Sequence, residues 1–193
     1  GRRYLYAYVN DNDQGFLNLV RNRGYRQEPD ETRPLYRFDI PAAFPVIDLP
    51  PGFRLTNLAE ECDWEKVHHV MWRGFDHGDN PPINAEELDS RRRMFMTPKA
   101  HLGLKIAVAA PNGDFAAFCG MFYEPTGKFA CVEPVATVPE YRRKGLGKAA
   151  VLEGIRRCAS LGAEVAYVGS DQAFYQALGF YKVFNSECWV KYF

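Results

Sequence analysis

Between Leu104 and Val138 the chain repeats one device: a run of β-forming residues, then a four-residue turn. Leu104 to Ala110 alternates in character and is turned by Pro111-Asn112-Gly113-Asp114, and Phe115 to Glu124 returns. Pro125-Thr126-Gly127-Lys128 makes the next turn, and a third run follows from Phe129 to Val138. Three strands joined this closely predict an antiparallel meander. After Pro139 the period changes. Leu146, Ala149, Ala150, Leu152, Ile155 and Cys158 recur at helical spacing, with Arg156 and Arg157 in the last turns and Gly162 as the stop. A sheet-to-helix switch with a basic, glycine-bearing loop at the junction constrains the fold more than any other feature.

The flanks fill in the order of elements. Phe53 to Leu58 reads as a short strand, Asp63 to Phe75 as a helix, and Asn84 to Met96 as a second helix. Asn84 with Glu87 three residues on forms a capping-box pair. The polar loop Asp76 to Pro82 separates the two helices. Downstream, Glu164 to Val168 is a strand, Asp171 is a candidate cap for a helix to Leu178, and Gly179 stops it. Phe180 to Phe184 and Cys188 to Phe193 read as a final pair of strands.

Upstream, Tyr4 to Val9 is a strand, Asp13 to Arg23 a helix ended by Gly24, and Leu35 to Ile40 a strand. Pro41 to Pro51 is proline-rich and reads as a linker. Tyr6-Ala7-Tyr8-Val9 and Val165-Ala166-Tyr167-Val168 each lead through a polar turn and a helix to a Gly-aromatic pair. This is a weak internal repeat. It predicts that residues 1–46 are the tail of an earlier copy of the domain that spans 47–193. On this reading of the repeat, the front half of that copy is expected to be missing. A coincidental strand-helix-strand is the alternative.

Composition excludes several classes of function. Lysine plus arginine and aspartate plus glutamate stand at 24 each, which argues against nucleic acid as a partner. A hydrophobic share of 47% allows a sizeable core. No apolar stretch reaches membrane-span length, and none reads as a secretory core. The five cysteines, Cys62, Cys119, Cys131, Cys158 and Cys188, form no C-x-x-C pair and read as buried free thiols in the reducing cytoplasm. No His/Cys/Asp cluster has metal-ligand spacing, so no metal is expected.

The junction loop runs Pro139-Glu140-Tyr141-Arg142-Arg143-Lys144-Gly145-Leu146-Gly147-Lys148. The first N–H groups of the helix lack internal partners and the helix dipole adds positive potential. Glycines let an anion approach the backbone. A pyrophosphate or phosphate site is the physical expectation. A Walker A loop fails on spacing. Gly145, Gly147 and Ala150 satisfy a dinucleotide fingerprint, but Pro139 to Lys144 intervene after the strand and the upstream strands are hairpins.

The run Pro139-x-Tyr141-Arg142-x-x-Gly145-x-Gly147 closely resembles the Arg/Gln-x-x-Gly-x-Gly/Ala signature of the GCN5-related N-acetyltransferase superfamily. The order of elements over residues 47–193 is similar as well. The resemblance implies an acyl-CoA N-acyltransferase fold, an α/β (α+β) architecture with a mixed, mostly antiparallel central sheet flanked by helices. It implies acetyl-CoA (coenzyme A) as cofactor. Val135, Ala136 and Thr137 would hold the pantetheine arm on a splayed strand, and Arg142, Arg143, Lys144, Gly145, Leu146, Gly147 and Lys148 the pyrophosphate. The stretch Ala173-Phe174-Tyr175 to Gly179-Phe180 is similar to the family's second motif, in which the tyrosine protonates the leaving thiolate. That role falls on Tyr175, with a packed core aromatic as the alternative. The family's cofactor-contacting asparagine, seven residues earlier, is Val168 here; Ser170 is the candidate substitute.

An amine acceptor must lose a proton. Glu133, in Cys131-Val132-Glu133-Pro134-Val135 beside the expected splay, is the candidate base, or else a solvent-facing or arginine-paired carboxylate. Asp76, His77 and Tyr123 are candidates for the acceptor pocket. His68 and His69 read as packing or surface residues and His101 as a loop residue. The cysteines lack an activating partner, so direct attack in a ternary complex is expected rather than a thiol relay. The expected reaction is transfer of an acetyl group to a primary amine on a small molecule or peptide. A catalytically silent CoA-binding or regulatory module is the alternative from another class, and a dinucleotide oxidoreductase is a further one. Edge strands near the C-terminus leave a homodimer open.

Overall fold

The computed structural model describes residues 3–97 and 100–193, so the first two residues of the 1–46 segment lie outside the described residues. Its elements are β1 (Tyr4–Asn10), α1 (Gln14–Asn22), β2 (Arg26–Asp39), β3 (Arg54–Asn57), α2 (Trp64–Gly74), α3 (Ala85–Phe95), β4 (Lys105–Ala109), β5 (Phe115–Glu124), β6 (Phe129–Thr137), α4 (Leu146–Ser160), β7 (Val165–Val168), α5 (Ala173–Ala177) and β8 (Tyr181–Tyr192). The architecture is mixed α/β, with mainly antiparallel strands and flanking helices. The chain divides into two compact units, Gly1–Asp39 with Tyr167–Phe193, and Ile40–Ala166.

In the first unit β8 lies between β1 and β2 and is antiparallel to both. Asp13 caps α1 by accepting from the Phe16 N–H at 2.9 Å. Leu17 and Val20 on the buried face of α1 pack on Val9 and Trp189. Gly24, with φ +76, supplies the left-handed residue that ends the helix and starts β2.

Three local expectations are corrected here. β8 is one continuous strand rather than two. The polar stretch Asn185-Ser186-Glu187 reads as a turn, yet the Asp11 carboxylate accepts from both the Asn185 backbone N–H and its Nδ2, and Ser186 and Glu187 pair with Asn10 and Val9. β2 starts at Arg26 instead of Leu35, because its polar first half pairs with β8 across a register shift between Glu28 and Arg33. Asp171 does not cap α5. The N-cap is Gln172, with no side-chain hydrogen bond, and Asp171 contributes only its carbonyl, which accepts from Gln176 Nε2 at 2.8 Å.

The second unit is the meander itself. β6, β5, β4 and β3 are antiparallel neighbours in that order. The core between this sheet and α2 holds Val67, Val70 and Met71 against Phe95, Phe118 and Ala136, each such side chain contributing roughly 1.5–3 kcal/mol. Asp63 and Asn84 cap α2 and α3 by accepting from the Lys66 and Glu87 N–H groups.

Two glycines set how closely the layers approach. A methyl on Gly154 of α4 would meet Met121 Cγ of β5 at 2.5 Å. A methyl on Gly74, the last residue of α2, would meet the Ala136 Cβ at 2.7 Å and the Thr137 N at 3.0 Å. The end of α2 therefore rests directly on the end of β6, where the junction loop begins.

The buried polar residues of this unit are placed with partners. Glu153 of α4 is 5% exposed and is held by Arg156 and Arg157. Lys105 of β4 is fully buried; its Nζ donates to the Met121 carbonyl at 2.6 Å and stands 3.5 Å from the centre of the Phe122 ring. All five cysteines are free. Cys62 is exposed, against the expectation of burial, because it sits in the polar turn before the Asp63 cap.

Candidate functional site

The junction loop leaves β6 through a 3-10 turn at Pro139–Tyr141 and enters α4 without a capping side chain. Arg143, at φ +62, and Gly145, at φ +81, both take the left-handed conformation. Two left-handed residues so close together curl the backbone into a concavity lined by N–H groups. The first intrahelical bond of α4 is Ala149 N–H to the Gly145 carbonyl, and Arg142 N–H closes the turn onto the Pro139 carbonyl. Between them, none of the N–H groups from Arg143 to Lys148 finds an acceptor among the described residues. With no side-chain cap, that end of α4 carries its full complement of free donors and its dipole. An anion is the partner such a cradle lacks, and a pyrophosphate fits its chemistry.

The loop's cations divide into two roles. Arg142 does not face outward freely: its guanidinium donates to the Thr137 carbonyl at 3.1 Å, the Gly74 carbonyl at 3.1 Å and the Asp76 carboxylate at 2.8 Å. It braces the loop to the end of β6 and to the end of α2. Arg73 makes a parallel strut, pairing with Glu140 at 2.7 Å and Asp79 at 2.9 Å. Glu140's own backbone N–H and Arg73 hold its carboxyl below the ordinary range, against a smaller opposing effect of burial. Arg143, Lys144 and Lys148 form no ion pair among the described residues and remain available to an anion. Lys144 lies 5.2 Å over the Tyr141 ring.

Val135, Ala136 and Thr137 form the last residues of β6, paired with Cys119, Phe118 and Ala117 of β5. They lead directly into the loop. Glu133 lies two residues earlier, exposed, at a register shift where β6 bulges opposite Gly120. Gly120 is needed there, since a methyl would meet the Glu133 carbonyl oxygen at 2.5 Å. Glu133 makes no hydrogen bond or ion pair among the described residues, so the arginine-paired alternative is absent.

Asp76, at φ +59, is tied to Arg142 as described. His77 is exposed and its ring lies 5.3 Å from that of Trp72 and 6.5 Å from that of Phe75. The structure thus brings Val135–Thr137, the loop, Arg142 and Asp76 together. Tyr123 is placed elsewhere: a methyl on Gly162, beyond the C-terminal end of α4, would stand 3.1 Å from the Tyr123 hydroxyl. α4 is 15 residues long, so that end lies roughly 22 Å from the cradle.

In the other unit, Tyr175 is 7% exposed, with ring contacts to Phe174 at 5.0 Å and Phe180 at 5.8 Å. Ser170 is half-buried and its hydroxyl accepts from the Gln172 N–H at 3.4 Å. β1–α1–Gly24–β2 and β7–α5–Gly179–β8 run through the same order of elements, with φ +76 and +100 at the two glycines.

Sequence reasoning missed two things. The bracing role of Arg142 depends on carbonyls, which the sequence does not display. The contact of Gly74 with β6 had a faint signal, a glycine at the end of an amphipathic helix. His68 takes the packing role of the two read for it: it is fully buried, and burial, together with the nearby Arg91 cation, pulls its pKa down. Among the described residues no group of three or more His, Cys, Asp or Glu is placed to hold a metal ion, and no helix is long and apolar enough to cross a membrane.

Comparison with known proteins agrees with this geometry. The acetyltransferase (GNAT) family profile matches residues 64–185. A search of the curated proteins returns no match. Among solved structures, the chain is similar to the GCN5-related N-acetyltransferase from Sphaerobacter thermophilus, with TM-score 0.71 and 12% identity over 100% of this chain and 60% of that one. It is similar to the GCN5-related N-acetyltransferase from Kribbella flavida, with TM-score 0.64 and 17% identity over 98% of this chain and 68% of that one. A tandem GNAT protein from the clavulanic acid biosynthesis pathway gives TM-score 0.71 and 15% identity over 98% of this chain and 64% of that one. The chain thus spans only about six tenths of the length of the first of these, and at such identities the likeness is one of fold. The family profile covers well over half of the chain and includes β4 to β6, the cradle and α4: the chain belongs to the acetyltransferase (GNAT) family.

Proposed function

We propose that the chain is an N-acetyltransferase that moves an acetyl group from acetyl-CoA to a primary amine by direct attack in a ternary complex. The observation that carries this reading is the run of free N–H groups from Arg143 to Lys148, which matches the chemistry of a pyrophosphate. Bound acetyl-CoA supplies the activated thioester. The loop N–H groups with Arg143, Lys144 and Lys148 hold its pyrophosphate, and the backbone of Val135–Thr137 aligns its pantetheine arm. Ser170 is a further candidate contact. Arg142 acts on the cofactor indirectly, by fixing the cradle to α2 and β6.

Glu133 takes the proton of the acceptor amine, directly or through water, and Tyr175 gives its hydroxyl proton to the departing thiolate. Asp76 and His77 face the acceptor, a small molecule or peptide; Tyr123, beside Gly162 at the far end of α4, drops out of that pocket. A thiol relay has little support: burial pushes the Cys158 thiol up to about 12 and Cys119 higher still, so both stay protonated at neutral pH. The free thiols suit a reducing cytoplasm, where the protein is expected to act without nucleic acid or membrane. The C-terminal strand β8 is paired on both sides, by β1 and β2, so it is not the edge expected for a homodimer, which would have to use another strand such as β1.

The test is turnover of acetyl-CoA over a panel of primary amines. Activity that falls at least tenfold in both Tyr175→Phe and Glu133→Gln supports the assignment. Saturable acetyl-CoA binding with no turnover on any amine would return the silent-module reading, which the close packing of Tyr175 against two phenylalanines favours.

A further inference from the structure

A cavity of about 220 Å³ opens beside the cradle, lined by Val46, Ile47 and Asp48 of the proline-rich segment and by Gly145, Lys148, Ala149 and Leu152 of α4 and its entrance. Gly145 and Lys148 belong to both features, so the cavity is continuous with the anion site. Its volume is below the ~300–1,000 Å³ of a site for a whole drug-sized ligand, and suits one ring system. Its lining is largely aliphatic: Ala149 and Leu152, both buried, together with Ile47 and Val46.

Val46 is 79% exposed, the most exposed large apolar side chain among the described residues. An aliphatic group held in water at the mouth of a cavity, next to a cradle for phosphate, calls for a flat apolar partner that carries phosphate. Asp48, also exposed, adds an acceptor at the edge.

We propose that this cavity receives the purine base of the cofactor, packed between Val46–Ile47 and α4, with the Asp48 carboxylate accepting from an exocyclic amine or ribose hydroxyl. The inference rests on acetyl-CoA being the cofactor. It gives the 46–48 segment a function: it is a wall of the nucleotide site rather than only a connection.

The experiment compares two ligands by calorimetry on the full chain: acetyl-CoA, and S-acetyl-4′-phosphopantetheine, which keeps the thioester arm and a phosphate but lacks the nucleoside. The variant is Val46→Ser, which shortens the apolar wall without adding charge beside the phosphate site, and the exposure of Val46 protects the fold. It is expected to weaken acetyl-CoA about tenfold, the worth of one aliphatic side chain covered, while leaving the truncated ligand unchanged. Asp48→Ala is expected to act in the same selective direction. If Val46→Ser weakens both ligands equally, or neither, the purine assignment is wrong while the acetyltransferase reading stands. If the unaltered chain binds neither ligand, both fall.

Discussion

Lys105 allows a worked prediction, because it is a fully buried amine with one hydrogen bond. Burial lowers its pKa from 10.5 to about 8, against a smaller upward pull from the Cys119 and Cys158 thiols. The folded pKa is depressed, so in the window between about 8 and 10.5 the unfolded chain binds the extra proton. Stability therefore rises with pH through that window. The gap corresponds to about 3 kcal/mol of cost carried by the fold at pH 7, when the buried amine is charged.

Replacing Lys105→Met removes this cost but strands the Met121 carbonyl, which costs roughly 1–3 kcal/mol, and loses the Phe122 contact. The net change at pH 7 is thus a near balance, and the slope is the cleaner readout. Urea denaturation at pH 7 and pH 10 should show the variant losing about 2–3 kcal/mol relative to the unaltered chain on going to the higher pH. The surface tyrosines contribute equally to both proteins and cancel in this difference; for the Cys119 and Cys158 thiols, burial outweighs their coupling to Lys105, so most of their contribution cancels as well. A difference that does not change with pH would refute the claim that the folded core favours a neutral Lys105.

Other perturbations follow from the contacts described. Gly74→Ala should lower stability by about 1–3 kcal/mol and weaken acetyl-CoA binding together, since its methyl forces α2 off the residues that lead into the cradle; thermal melts and titration check both. Gly147→Asp should abolish acetyl-CoA binding, because a carboxylate is placed beside the N–H groups that the cofactor's anion needs; titration checks it, with a melt to confirm that the variant is folded. Burial alone would raise the Glu153 carboxyl, but its bonds to Arg156 and Arg157 hold it below the ordinary range. Its contribution is therefore present above the usual carboxylate pKa and lost as pH falls through the lowered value. Acid denaturation of Glu153→Gln should show a shallower acid limb than the unaltered chain.

The meander, the cradle and α4 were legible because each rests on local rules: turn residues at fixed spacing, a switch from strand to helix period, and glycines where the backbone turns left-handed. Asp13, Asp63 and Asn84 cap their helices as their positions imply. The errors arise where distant residues override local signals. Asn185-Ser186-Glu187 reads as a turn until Asp11, far earlier in the chain, satisfies Asn185. Arg26 to Arg33 reads as loop until β8 pairs with part of it. At the site, the signature named the loop, but not the division of labour within it. That Arg142 is spent on Gly74, Thr137 and Asp76 rather than on an anion depends on the meeting of three segments. The cavity at Val46–Asp48 was hidden for a similar reason, since a proline-rich run signals a linker and says nothing of what it lies against.

The central claim is that the free N–H groups from Arg143 to Lys148 bind the pyrophosphate of acetyl-CoA. Its most direct test is calorimetric titration of the chain with acetyl-CoA, with NADH as the control and Gly147→Asp as the paired variant. Saturable binding of acetyl-CoA alone, lost in the variant, is the predicted result. Equal binding of NADH, or an acetyl-CoA affinity that Gly147→Asp leaves unchanged, would contradict it.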